Sequence, residues 1–147
     1  MMDPHASGLV TKNTYSSKRK IQSSVVAVLQ LVMEGRELNL IKPISRAVKK
    51  NEIHELIVTD EKEAKPGSVV NQVSYIAFIE ISQGGVIVVG DEVYWNNNLL
   101  GIVAGFDDTH MPNHQNIVLY STKRVTGKDL HINIEDPIII QAQKGNN

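Results

Sequence analysis

The sequence predicts an all-β protein: a small antiparallel β-barrel, or a barrel-like sandwich, with a flexible N-terminal arm. Three observations predict it. About eight short segments are rich in Val, Ile, Leu and aromatic residues, which suit a pleated, half-buried surface. Gly, Pro, Asn and Asp punctuate them at short spacing. Hardly any stretch repeats its apolar residues with the period of a helix.

Taken in order, residues 1–21 are rich in Ser, Thr, Lys and Asn without periodicity, and read as the flexible arm, with His5 solvated. Residues 22–140 read as one barrel domain and 141–147 as a flexible tail. "SSVVAVLQLVMEG", from Ser23, is long enough for a helix, but Val25, Val26 and Val28 favour a strand. "RELNLIKP" follows the Glu34-Gly35 turn and reads as its hairpin partner. Residues 44–50 read as one short helical turn. "EIHELIVTD", residues 52–60, alternates Ile53, Glu55 and Ile57 against His54, Leu56 and Val58, the pattern of a strand. Pro66-Gly67 centres a turn, and "SYIAFIEI" is the next strand. "VIVVGDEVYW" breaks at Gly90-Asp91, and Asn96 to Asn98 form a hairpin turn that tolerates left-handed backbone. "LLGIVAGF" and "QNIVLYS" are two further strands. "DLHINIE" reads as a last short strand with a structural His131, and "DPIIIQAQKGNN" as a tail able to dock.

Composition narrows the function classes. A chain of 147 residues suits one domain with a real core. A formal net charge of -1 argues against a broad electrostatic footprint for nucleic acid. No apolar run approaches the length of a membrane span, and the N-terminus lacks the apolar stretch of a signal peptide. A cytoplasmic protein is expected, with no nucleic-acid or membrane partner. The chain has no cysteine, which excludes disulfides and thiolate metal ligands. There is no Gly-x-Ser-x-Gly nucleophile motif. The glycines of "GGVIVVGDEV" open no helix and read as turn and bulge residues, not as a phosphate cradle.

The chemistry concentrates in "GFDDTHMPNHQNI", residues 105–117, which joins two apolar strands. It holds Asp107, Asp108, His110, Asn113 and His114. Pro112 disfavours a helical His-x-x-x-His pair, but a tight turn at "MPN" can fold His114 back towards His110. Imidazole with carboxylate suits zinc, iron, nickel or copper, and three protein ligands with one open position mark a catalytic centre. The expected metal ligands are His110 and His114, with His54 or Asp107 as the third. Glu52, Glu55 and Asp108 are the acid–base candidates, and Asn113 is a further pocket residue. If the strand is regular, His54 and Glu55 face opposite ways, so one of them at most meets the site, and Glu52 shares the face of His54. Asp, Asn, Thr and Pro are also the ordinary residues of a surface turn, so a bare turn stays open as the alternative.

These blocks carry a resemblance. "RAVKKNEIHELIVTDE", "KPGSVVNQVSYIAFIE", "GGVIVVGDEV" and "GIVAGFDDTHMPNHQNIVL" resemble an uncharacterised family of small bacterial proteins, over about residues 24–121. The resemblance singles out His54, Glu55, Asp107, His110, Asn113 and His114 and implies no activity. More distantly, "VGDEVYWNNNLLGIVAGFDDTHMPNHQNIVLYS" is similar to the C-terminal part of the sorbitol-specific IIA component of the bacterial phosphotransferase system. That likeness implies a β-barrel. Its phosphoryl-accepting histidine has no counterpart that can be placed here.

The function expected is therefore a small protein with a His/Asp polar pocket that binds a divalent transition metal, either as a metal-dependent enzyme or as a binder of a small molecule. The alternatives are a metal-free binding or carrier module and a structural subunit that assembles with further copies of itself.

Overall fold

The computed structural model describes residues 15–143. Twelve strands and no α-helix occur among them: β1 (Ile21–Val28), β2 (Val32–Met33), β3 (Leu38–Asn39), β4 (Ser45–Val48), β5 (Ile53–Thr59), β6 (Val69–Val70), β7 (Val73–Gln83), β8 (Gly85–Val88), β9 (Glu92–Trp95), β10 (Asn98–Asp107), β11 (Asn116–Tyr120) and β12 (Pro137–Gln141). Among the described residues no helix is long and apolar enough to cross a membrane.

The large sheet runs β1-β12-β9-β10-β11-β5-β7, and a further pairing of β1 with β7 closes it into a ring. The expected barrel is there, but it is not uniformly antiparallel. β11 lies parallel to β5, with Asn116 beside Glu55 and Tyr120 beside Thr59. A parallel neighbour cannot be reached by a hairpin and needs a long crossover. Here that crossover is most of the barrel, from β6 to β10.

Alternation fills the ring. Leu56 and Val58 of β5, Ile117 and Leu119 of β11, Phe106 of β10 and Ile79 of β7 belong to one buried cluster. Intervening residues of the same strands point the other way. Ile57, Val118 and Tyr75 join Leu38, Leu40 and Val70 in a second cluster, so the paired β3 and β6 cover one outer wall of the barrel. Gly105 permits that cover, because a Cβ there would lie 3.0 Å from Leu40 Cδ1.

Three local expectations are corrected. Residues 45–48 form β4, not a helical turn, because the ladder with β8 satisfies their backbone and buries Val48. "RELNLIKP" does not pair with the first strand. Glu37 takes a left-handed φ of 56°, β3 turns to β6, and β2 pairs with β7. "DLHINIE" is no strand. Thr126 and Asp129 exchange hydrogen bonds that start a turn, and His131 has a φ of 62°. The last strand comes instead from "PIIIQ", whose Ile138 and Ile140 complete the core.

Residues 1–14, with His5, and 144–147 lie outside the described residues. The end of the expected arm is held on the barrel. Lys18 Nζ lies 2.6 Å from Asp91 Oδ2, Arg19 Nε donates to the Gly84 carbonyl, and Ile21 is fully buried.

Candidate metal centre

β10 ends at Asp107 and β11 begins at Asn116, and Asp107 shapes the connection between them. Its Oδ1 accepts from the Thr109 backbone N–H at 2.9 Å and from Asn116 Nδ2 at 3.0 Å. Its Oδ2 accepts from the Asn39 backbone N–H at 2.9 Å. Burial opposes ionisation of Asp107, but these bonds from Thr109, Asn116 and Asn39 outweigh it and hold its pKa below the ordinary carboxylate value. The chain then winds on itself. The Met111 N–H donates to the Asp108 carbonyl, and the Asn113 and His114 N–H groups donate to that of His110. The Met111–Pro112 peptide is cis. The winding stacks the His110 and His114 rings, with centroids 4.9 Å apart and planes at 28°.

β5 supplies the third group. Its parallel register sets Glu55 beside Asn116, two residues after His114, and its antiparallel register sets Phe78 on the other side. Alternation turns Glu55 away from the interior that Leu56 and Val58 fill. Glu55 Oε1 and His114 Nε2 meet at 3.2 Å, both side chains buried, and Phe78 packs edge-on against the His114 ring at 5.0 Å. One ligand atom from each of Glu55, His110 and His114 lies within 4.8 Å of the other two. Donors about 2.1 Å from one ion sit roughly 3 Å apart, so the Glu55–His114 pair already has ligand spacing. His110 is the exposed member, and any adjustment to an ion falls on the group freest to make it.

The other expected residues stand behind this group rather than in it. The Gln115 backbone N–H donates to His54 Nδ1 at 3.0 Å, which assigns the ring proton to Nε2, 3.1 Å from Glu52 Oε1. Both His54 nitrogens thus have partners. Burial is the largest single influence on the His54 pKa and lowers it, the Glu52 carboxylate raises it, the nearby Arg46 lowers it further, and the net shift is downward. Burial opposes ionisation of Glu52, but bonds from the Lys49 backbone and His54 prevail, and its pKa is lowered. Asp108 is exposed and accepts from Gln115 Nε2 at 2.6 Å, and Asn113 lies exposed on the turn. Glu55, read from sequence as an acid–base group, is the residue placed where His54 or Asp107 was expected.

Gln115 was missed. It is buried, and it joins nearly everything here. Its backbone oxygen accepts from the Glu55 N–H, its Nε2 donates to the Asp107 carbonyl and to Asp108, and its Oε1 accepts from Arg46 Nε. Its neighbour His114 was the sole signal, since every bond it makes reaches a residue distant in the chain or across the turn.

The group opens on a pocket of about 750 Å³, with Glu55 and His110 in its wall. No curated protein matches the chain, and no solved structure does. A model of a family of unknown function, DUF6917, matches residues 15–141, nearly the whole described barrel, and the chain belongs to that family.

Proposed function

We propose that the protein binds one divalent transition-metal ion through Glu55, His110 and His114, and holds a small molecule at the positions the ion leaves open. The observation that carries this reading is the Glu55–His114 pair, buried at 3.2 Å with the His110 ring stacked beside it. Two imidazoles and one carboxylate are the donor set of catalytic zinc sites and of the open facial sites of non-haem iron. Nickel and copper suit the same imidazoles. An ion so held polarises a bound oxygen and lowers the pKa of a bound water, which is the basis of a metal-dependent enzyme. Gln115, His54 and Asp108 would orient the turn that carries the histidines.

Elemental analysis of protein purified without an affinity tag tests the reading. One equivalent of metal per chain is expected, with sharp loss in His114→Ala and Glu55→Gln. Wild-type protein that takes up no metal after supplementation at neutral pH would overturn it.

The same 3.2 Å contact favours a second reading, a metal-free pocket in which Glu55 orients the His114 imidazole for proton transfer or ligand binding. Absence of metal, together with ligand binding that Glu55→Gln abolishes, would select it.

A further inference from the structure

The pocket beside Glu55 and His110 is walled by Val28, Leu29, Gln30, Leu31 and Tyr75. Three features limit what it can hold. First, among the described residues no lysine or arginine lines it, so a phosphate or another multiply charged group would meet no countercharge from that wall apart from the ion itself. Second, polarity is uneven. Glu55 and His110 stand together, and apart from Gln30 the rest of the wall is the aliphatic Val28, Leu29 and Leu31 with Tyr75. The Tyr75 hydroxyl is already engaged, accepting from Arg36 Nε at 2.8 Å and facing Met33 Sδ at 3.8 Å, which leaves the ring as the group Tyr75 contributes. Third, the wall is pre-formed. The Leu29 N–H donates to the Ile76 carbonyl, the Leu31 carbonyl accepts from the Tyr75 N–H, and the Leu29 carbonyl accepts from the Lys128 N–H. Within this fixed wall the Leu31 side chain is 51% exposed. Apolar surface held in water beside a polar centre is what an amphiphilic ligand covers.

We infer that the ligand of this site is a small amphiphile, with one oxygen-donor head at Glu55 and His110 and an aliphatic body along Leu29, Leu31 and Tyr75. The choice of head rests on the metal reading proposed above, whereas the choice of body rests on the wall alone. A sugar phosphate, the kind of ligand a phosphotransferase likeness suggests, is the wrong shape and charge for it.

Calorimetric titration of the zinc-loaded full-length protein with acetohydroxamate, hexanohydroxamate and octanohydroxamate tests the inference. All three share one chelating head, so only the body varies. Affinity is expected to rise about two- to fourfold per added methylene. Leu31→Asn, an exposed position that does not threaten folding, is expected to flatten that dependence. Affinity that ignores or falls with chain length, or glycerol 3-phosphate binding more tightly than octanohydroxamate, would overturn it. If the protein takes up no zinc, the metal reading fails by itself, and the uncharged 1-octanol titrated into metal-free protein decides the body. Nuclear magnetic resonance shifts at the Leu29 and Leu31 methyls would uphold it, and their absence would sink it.

Discussion

β10 ends in two turns of opposite character. At its start, Asn96 and Asn97 take left-handed φ values of 47° and 67°, and Asn98 Nδ2 donates to the Asn96 carbonyl two residues away. At its end, residues 108–115 bury His114 and Gln115 and tie themselves to Glu55, His54 and Arg46, all far away in the chain. Both connections are rich in polar residues, asparagines in the first and Asp, His, Asn and Gln in the second. The first uses them locally, where Asn eases a tight bend. The second uses them to hold two histidines against a carboxylate. What separates this turn from this site in the structure is the reach of their polar bonds.

The sharpest way to break this contrast is at the root of the second turn. Asp107→Ala leaves three donors without their acceptor in a buried place, and a loss of about 3 kcal/mol or more is expected in urea unfolding. Asn96→Ala is expected to cost about 1 kcal/mol, the strain of one left-handed residue. Equal losses would erase the distinction.

Gln115→Ala comes next. A loss of about 2 kcal/mol is expected, from buried partners left unmet. Metal affinity, read by competition with a chelator, is expected to fall ten- to hundredfold, as for a group that orients ligands. Lost stability with unchanged affinity would make Gln115 structural only.

The two histidines sharpen the comparison within the turn. In metal-free protein, His110→Ala is expected to stay within about 0.5 kcal/mol of wild type, as at an ordinary surface position. His114→Ala should cost about 1–2 kcal/mol, because Glu55 loses its buried partner. Adding zinc at about a hundred times its Kd should stabilise the wild type by about 2.7 kcal/mol and neither variant by as much. A His110→Ala protein with the full zinc response would remove His110 from the ligand set.

The smallest effect expected is in pH. The folded pKa of His54 lies below the ordinary 6.5, so near that pH the unfolded chain binds more protons than the native one. Stability is therefore full above about pH 6.5 and declines as the pH falls towards the folded value. Asp107, also lowered, adds a separate loss below about pH 4, where the unfolded carboxylate takes up its proton. His54→Gln should flatten the first decline and leave the second. A first decline that persists in His54→Gln would assign it to another group.

Much of the fold was legible locally. The alternation of His54, Leu56 and Val58 against Glu55 and Ile57 identified β5 and its two faces, and Asn96 to Asn98 identified a turn. Errors fell where a segment's state depends on a distant partner. Val48 looked helical until β8 was beside it, and "PIIIQ" looked like a tail until β9 and β1 flanked it.

The site divides in the same way. By itself the sequence determined the strand pattern and the crowding of Asp107, Asp108, His110 and His114 into one connection, because periodicity and turn chemistry are properties of neighbouring residues. It also determined that His54 and Glu55 face opposite ways. Only the tertiary structure decided which of them meets the histidines. The parallel register of β5 against β11 brings Glu55 to His114, and the Gln115 backbone occupies His54. Register between strands about sixty residues apart is set by the packing of both faces of the barrel at once, and no local pattern encodes that.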